Sequence, residues 1–503
     1  MVELSLAAKR VVIQEDIPES SVSGLAEFID RYYMSRKVHS VEGKTFTRID
    51  DRKKAAFTFS WRETGILQRD KRIPGKAISV TLKVSRATVE LNFDDFDKGN
   101  QSELDLCTRT VDEVQNIVWS YFLNARKSTL YFDIGSGEER HSESPEEASS
   151  SRRSILKRIF SGNTTNIFLG FLIFSYVLLI LVGIYAIFLI IVFQLVYLYY
   201  ADRLMLNLGN IRPTAERPLV AIVSVKSKQE TIVFLRTIGR RILAEIREQV
   251  STLVLPSVGS SVYETTNRID LKSSVQLILS RNGIDTSAND IEVKTKNVYS
   301  LVEKVSSKFN RPVPKIVITN SVISNASATG ISARHSSIMI TSGSLEELTD
   351  DELESVVGHE LGHVKGHDPL ILFGLTMLMY IGVFYLWYPL SLLIGLLYYI
   401  LAFALIFAVG KILETRADTE SAVVLQNASG LASSLTKMGF KQLFQEKYNP
   451  AAKLFDWFRF DPHPPIYFRV ARMSKLAGME STIRHTFLAS LRDCILGFVS
   501  AIF

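Results

Sequence analysis

Residues 349–368 read TDDELESVVGHELGHVKGHD, and within them His359, Glu360 and His363 form an H-E-x-x-H pattern. Thr349 followed by Glu352 is a capping-box start, so a helix is predicted to begin here. His359 and His363 then sit one turn apart on one face, and their imidazoles can converge on a single zinc ion. Glu360 points to the flank, where it can reach a water on the metal rather than the metal itself. With eight histidines in 503 residues, a chance H-E-x-x-H is on the order of one in a hundred. The plain alternative is a surface helix carrying His and Glu. Leu353, Val356, Val357, Leu361 and Val364 argue against it, because they make the helix mostly apolar. Two buried imidazoles and a carboxylate without a metal would be costly to desolvate.

A catalytic zinc needs a third protein ligand and an open position. After the next uncharged stretch comes Glu414-Thr-Arg-Ala-Asp418. Glu414 is the expected third ligand. Asp418, one turn on, can orient a ligand histidine through its free ring nitrogen. Alone, such a pair is more often a solvated helix face. It gains weight from position, because the intervening stretch has the length of a hairpin that returns both ends to one metal. The expected cofactor is one Zn2+ per chain.

The elements that position these residues include membrane helices. Pro369 to Gly410 carries no charge and would be about 63 Å long as a helix, enough for two crossings of a ~30 Å hydrocarbon core. Trp387, Tyr388 and Pro389 mark its predicted turn. Ser161 to Ala201 is also uncharged, with an apolar part from Ile167 to Tyr200 of about 51 Å. That is long for one crossing and tight for two, with Gly183 as the bend. Arg152, Arg153, Lys157 and Arg158 precede it and Arg203, Arg212 and Arg217 follow. Lys365, Lys411 and Arg416 flank the second stretch. By the positive-inside rule both are hairpins with cytoplasmic ends. One long tilted helix is the alternative for the first.

The remaining sequence reads as soluble parts. Residues 1–133 are an expected α+β domain, with helices at 20–35 and 111–126 and strands at 55–61, 77–84 and 87–93. Residues 134–160 are a Ser/Glu/Gly-rich linker and a basic flank. Residues 161–201 are the first hairpin, 202–297 an inserted region with a strand at 219–224 and a helix at 230–250, and 298–368 the protease core, which opens with a helix at 298–309. Residues 369–410 are the second hairpin and 411–503 the third-ligand helix and remainder. Phe455, Trp457, Phe458 and Phe460 suit core packing or interfacial anchoring better than a substrate pocket. Thr486 to Phe503 is apolar but interrupted by Arg492 and Asp493, which suits an interfacial or packed helix rather than a span. A net charge of +6, from 58 basic and 52 acidic residues, is too slight and scattered for a nucleic-acid binder. Cys107 and Cys494 offer neither metal spacing nor a disulfide framework.

HELGH within TDDELESVVG…VKGHD, two apolar spans and then ETRAD resemble the HtpX-like membrane zinc endopeptidases, with the CaaX-processing zincins more distant. PKIVIT (314–319), NASATG (325–330) and SIMITS (337–342) resemble that family's strands ahead of the zinc helix. The resemblance implies a mainly α integral membrane zincin with a small β-sheet in its protease core, here preceded by the α+β domain. It further implies that Asn325 and Ala326 pair with substrate backbone at the cleft edge. In DPHPPIYFR (461–469), it makes His463 a candidate for stabilising the oxyanion and pairs Arg469 with a carboxylate such as Asp418. Read alone, Asn325 is a turn residue and His463 part of a rigid surface turn.

The expected activity is peptide hydrolysis near the cytoplasmic membrane surface. Zinc on His359, His363 and Glu414 acidifies a water to a pKa of about 7, Glu360 takes its proton, and the hydroxide attacks the scissile carbonyl. The expected partners are membrane-protein or polypeptide substrates, the lipid bilayer and a regulatory partner of the N-terminal domain, in membrane protein quality control. The alternatives are a non-catalytic scaffold, which has no need of Glu360, and a prenyl-protein protease, which four spans suit less well.

Overall fold

The computed structural model describes residues 10–31, 41–135, 173–226, 272–283 and 291–502, apart from short breaks. They form two compact units, Met1–Ser128 and Thr129–Phe503.

The first unit runs β1 (Arg10–Gln14), α1 (Glu19–Ile29), β2 (Val41–Asp51), β3 (Lys54–Glu63), a ribbon of β4 (Leu67–Gln68) and β5 (Lys71–Arg72), β6 (Ile78–Ser85), β7 (Thr88–Asp94) and α2 (Gln101–Lys127). Five strands form an antiparallel sheet in the order β1-β7-β6-β3-β2. Alternation decides its faces. Ile78, Val80, Leu82 and Val84 are buried with apolar residues of α1 and α2, while Ser79, Thr81 and Lys83 point away. The free thiol of Cys107 lies in this core.

The second unit opens differently from expectation. Residues 129–135 form a strand, β8 (Thr129–Gly135), rather than the end of the N-terminal domain and the start of a linker. It pairs with β9 (Leu219–Lys226), which also pairs with β10 (Ile291–Asn297), so β9 is the centre of an antiparallel sheet. The segment expected to be a linker therefore begins as structure completed by the region beyond the first apolar stretch. Between them, α3 (Tyr185–Leu208) carries the first stretch seven residues past Ala201. Gly183, at φ +67°, turns the chain just before it, a conformation that favours glycine.

Next come α4 (Val298–Lys308) and the core sheet β11 (Lys315–Thr319), β12 (Ala326–Ser332) and β13 (His335–Thr341). β13 is central, parallel to β11 and antiparallel to the outer strand β12. Then follow α5 (Ser342–Glu347), α6 (Asp350–Gly366), α7 (Asp368–Trp387), α8 (Leu392–Leu425), α9 (Ala428–Tyr448), α10 (Pro450–Phe458), α11 (Ile466–Leu476) and α12 (Thr486–Ile502). Ile316, Ile318, Ile338 and Ile340 pack the sheet on Val302 and Val305 of α4 and Leu353 and Val357 of α6.

Among the described residues two helices are long and apolar enough to cross a membrane, Tyr185–Asn207 and Leu397–Leu425; Asp368–Gly382 is a shorter apolar one. Their outward residues are large and apolar, such as Phe193 at 63% exposure and Leu401 at 61%. The expected turn at Tyr388 and Pro389, the helix at 230–250 and residues 136–160 lie outside the described residues.

Candidate metal centre

α6 starts as its sequence demands. Thr349 Oγ1 accepts from Glu352 N at 3.3 Å and Glu352 Oε2 accepts from Thr349 N at 2.9 Å, closing the capping box. Glu352 also accepts from Ser433 at 2.6 Å and Lys437 at 2.9 Å, which ties this helix start to α9. The helix ends at His367, whose φ of 55° is left-handed and turns the chain directly into α7.

Two glycines let α8 approach. A Cβ on Gly362 would lie 3.1 Å from the Cα of Ala417, and one on Gly358 would lie 2.6 Å from a Leu425 methyl and 2.7 Å from Ser421 Oγ. Hydrogen bonds fasten the contact, from Ser421 Oγ to Ser355 O at 2.8 Å and from Arg416 to Gly362 O at 3.0 Å. The close approach presents Glu414 to the two histidines.

His359 Nε2 and His363 Nε2 are 3.2 Å apart. Glu414 Oε2 is 3.4 Å from His359 Nε2, and Glu414 Oε1 is 3.3 Å from His363 Nε2. Ligands held tetrahedrally at ~2.0–2.1 Å from zinc are separated by about 3.3–3.4 Å, so this triangle has the edges of a zinc face. Glu414 Oε2 is buried and accepts no hydrogen bond among the described residues. The donor set, its spacing and this orphaned oxygen fit a divalent cation.

Each histidine is held from behind. His359 Nδ1 lies 2.8 Å from Asp418 Oδ1, and His363 Nδ1 lies 2.7 Å from Asp368 Oδ2. The hydrogen bond between His363 Nδ1 and Asp368, and the close ion-pair approach of His359 Nδ1 to Asp418, leave each Nε2 facing the metal position. Asp418 receives Arg469 through two bonds, Nε at 2.8 Å and Nη2 at 2.7 Å. Asp368 receives Arg416 at 2.8 and 2.9 Å. The site thus has two parallel relays, His359–Asp418–Arg469 and His363–Asp368–Arg416. Burial works against a charge on either imidazole. The surrounding carboxylates outweigh it, Asp418 raising His359, and Glu414 with Asp368 pushing His363 up to about 10. The pocket's chemistry demands positive charge.

Glu360 is buried on the same helix at 8% exposure. His463 Nε2 lies 3.5 Å from Glu414 Oε1. Its ring is half exposed, and Asp461 holds it, accepting from Nδ1 at 2.8 Å and from the His463 backbone N–H at 2.9 Å. Desolvation lowers its pKa, but Glu414 and Asp461 outweigh this and raise it. Lys411, buried one turn before Glu414, donates to Arg459 O at 3.0 Å and Asp461 O at 2.5 Å, clamping the loop that carries His463.

Asn325 and Ala326 stand at the start of the outer strand β12, which packs against α6. The Asn325 backbone is engaged inward by Thr341, N–H to Oγ1 at 2.9 Å and C=O from Thr341 N at 3.1 Å. Its side chain accepts from Ala326 N at 2.9 Å. The structure therefore places His359, His363, Glu360, Glu414, Asp418, Arg469 and His463 in one cluster, with Asn325 and Ala326 on the strand beside its helix.

In sequence, Arg416, Lys411 and Lys365 look like flanking charges that orient the membrane stretches. All three are committed to the interior fold. Lys365 pairs with Glu420 at 2.5 Å, Arg416 with Asp368, and Lys411 with the two carbonyls. They carry little weight as free interfacial charge. In sequence Asp368 reads as a helix-end residue that supports the ligands rather than binding the metal. Its pairing with His363 depends on the left-handed turn at His367, which no helical spacing encodes.

Residues 292–477 match the family model "Peptidase family M48". A "Protease HtpX homolog" from Pelotomaculum thermopropionicum is 30% identical over 218 residues, covering 37% of this chain and 78% of that protein. Another from Caldanaerobacter subterraneus subsp. tengcongensis is 28% identical over 214 residues, covering 36% of this chain and 71% of that protein. Among solved structures, the crystal structure of S. mikatae Ste24p aligns at a TM-score of 0.30 and 15% identity, over 48% of this chain and 64% of that one.

Proposed function

The chain belongs to the HtpX-like group of peptidase family M48, and from that premise we propose that it is a zinc-dependent integral membrane endopeptidase cutting peptide bonds near the cytoplasmic membrane surface. The observation that carries this reading is the 3.2–3.4 Å triangle of His359, His363 and Glu414, with Glu360 buried on the same helix. Zinc held by that triangle supplies Lewis acidity for the scissile carbonyl and for an attacking water. Glu360 takes the proton from that water and returns it to the leaving amine. His463, held by Asp461 beside Glu414, donates to the oxyanion. Asp418 and Asp368 fix the imidazoles, and Arg469 and Arg416 neutralise those carboxylates. Substrate backbone pairs along the outer edge of β12 from Ala326.

The membrane reading rests on α3, α7 and α8, whose exposed large apolar residues would form an unfavourable patch in water. Gly135 pairs with Val220 in the β8–β9 ladder. Those strands flank the first apolar stretch, and their pairing supports the hairpin over the single tilted helix. The zinc ligands lie within a few residues of the apolar spans, so loops and tails of misassembled membrane proteins are the proposed substrates, and quality control the proposed role. The N-terminal unit is a candidate docking point for a regulatory partner.

The test compares purified wild type and Glu360→Gln on casein, a membrane-anchored polypeptide and a prenylated peptide, with zinc measured in both. Wild type is expected to cut the first two, and Glu360→Gln to hold zinc and cut nothing. Equal cleavage by the two proteins overturns the reading. Exclusive cleavage of the prenylated peptide overturns the quality-control assignment.

A further inference from the structure

We propose that α12 and the end of α10 dip into the hydrocarbon beside α8 and form a lipid-inserted anchor that sets the depth of the metal centre. The proposal rests on the membrane reading above.

α12 presents two contrasting faces. Its inward face is tied to the site's own framework. Ser490 Oγ lies 2.7 Å from Thr419 Oγ1, Arg472 Nε donates to Asp493 at 3.0 Å, and Cys494 is buried. Gly497 admits Phe468 and Trp457, and Phe498 packs on Trp457 and Phe458 at centroid distances of 5.8 and 5.4 Å. The outward face is large and apolar, with Ile495, Leu496, Val499 and Ile502 all exposed and Leu496 at 58%. Beside it, Phe455 and Phe458 of α10 are exposed at 68% and 61%.

The direction of the helix decides what covers that face. Ser490 is level with Thr415 and Thr419, on the metal-centre part of α8. Eight residues later, Phe498 is level with Phe458. The segment just beyond α10 packs on the apolar part of α8, where Phe460 stacks on Phe407 at 5.7 Å. α12 thus runs antiparallel to α8, from the ligand level toward the span. At ~1.5 Å per residue, Ile502 lies about 18 Å beyond Ser490 in that direction. Its exposed apolar residues run toward the level of the exposed Leu401 and Leu405 of α8. Phe455 and Phe458, exposed beside Phe498, extend this apolar surface, and a patch of that kind is unfavourable in water. Arg492, exposed at the start of this half, marks the water side. The occupant is therefore lipid.

The experiment places the unmodified full chain in phosphatidylcholine bilayers containing a phosphatidylcholine with a photoactivatable acyl chain. Adducts are mapped on tryptic peptides 493–503 and 366–411, and hydroxyl-radical footprinting is run in parallel. The expected result is acyl adducts on Ile495, Leu496, Val499 or Ile502 at a yield comparable to those on Leu401 and Leu405, with both segments protected from the radical. Adducts on 366–411 alone, with 493–503 oxidised by the radical, place the helix in water and overturn the proposal while leaving the membrane reading intact. Adducts on 366–411 alone, with 493–503 protected, mean that protein covers the face, and this also overturns it. No adducts on either peptide remove the membrane reading and the anchor together.

Discussion

Gly362 of α6 faces Ala417 of α8 so closely that a Cβ on the glycine would stand 3.1 Å from the alanine Cα. The contact lies between the helix of His359 and His363 and the helix of Glu414, so it sets the distance across the metal triangle. Overpacking a close contact costs about 1–3 kcal/mol. Gly362→Val is predicted to lower thermal stability by that order and to reduce zinc occupancy. Gly362→Ala needs a shift of only tenths of an ångström and should lose much less of both. Zinc analysis and thermal unfolding in detergent measure the two effects.

The paired relays behind the histidines predict graded losses. Removing a carboxylate that orients a metal-ligating histidine costs about 10–100-fold in metal affinity. Asp418→Asn and Asp368→Asn are each expected to show this in a chelator competition titration. Arg469→Met leaves the buried Asp418 charge uncompensated and is expected to cost about 3–5 kcal/mol of stability. A wild-type zinc affinity in either Asn variant would contradict the relay.

Lys411 acts through the loop it clamps. Lys411→Met is predicted to lower kcat on casein by up to the ~10²–10³-fold that removing an oxyanion donor outright costs, with KM and zinc content little changed. In a His463→Gln background the same substitution should add almost nothing, since the two changes act on one element. Additive losses would separate Lys411 from His463.

Glu446 gives the fold a pH dependence remote from the metal. Its carboxylate accepts from Ile466 N at 3.2 Å and Tyr467 N at 2.7 Å, capping α11, which begins after Pro465 with no side-chain cap of its own. Burial pushes its pKa up to about 7 despite these bonds. The unfolded carboxyl titrates near 4.3. As pH rises between these values the unfolded chain loses the proton that the folded chain keeps. The contribution is present below the lower value and is lost as pH passes the upper one. Unfolding temperature should therefore fall from pH 5 to 8, and Glu446→Gln, which keeps an acceptor without a charge, should flatten that slope.

The zinc helix was legible because its information is local. A capping box, two histidines one turn apart and an apolar flank all lie within 20 consecutive residues. Glu414 was legible at a distance because a charge-free stretch of hairpin length precedes it. The pairing of Asp418 with Arg469 came from family resemblance, since no spacing rule joins positions 51 apart. Gly358 and Gly362 are visible as letters, but their use as a contact face depends on where α8 lies.

Other features were hidden for physical reasons. β8 falls across the expected end of the N-terminal domain and start of the linker because its partner lies more than 80 residues away, and strand pairing at that separation leaves no periodic trace. Lys365, Lys411 and Arg416 look like interfacial charge by composition, and only the fold shows that their charges are spent on buried partners. The αL turn at His367 brings Asp368 back to His363, although a residue five positions on would ordinarily face elsewhere on a continuous helix.

The most direct test of the central claim is metal stoichiometry across three proteins purified under identical conditions: wild type, Glu360→Gln and Glu414→Ala. One zinc per chain is predicted in the first two, with cleavage only in wild type, and little zinc and no cleavage in the third. A metal-free active wild type, or a Glu414→Ala variant with full zinc and activity, would contradict the account.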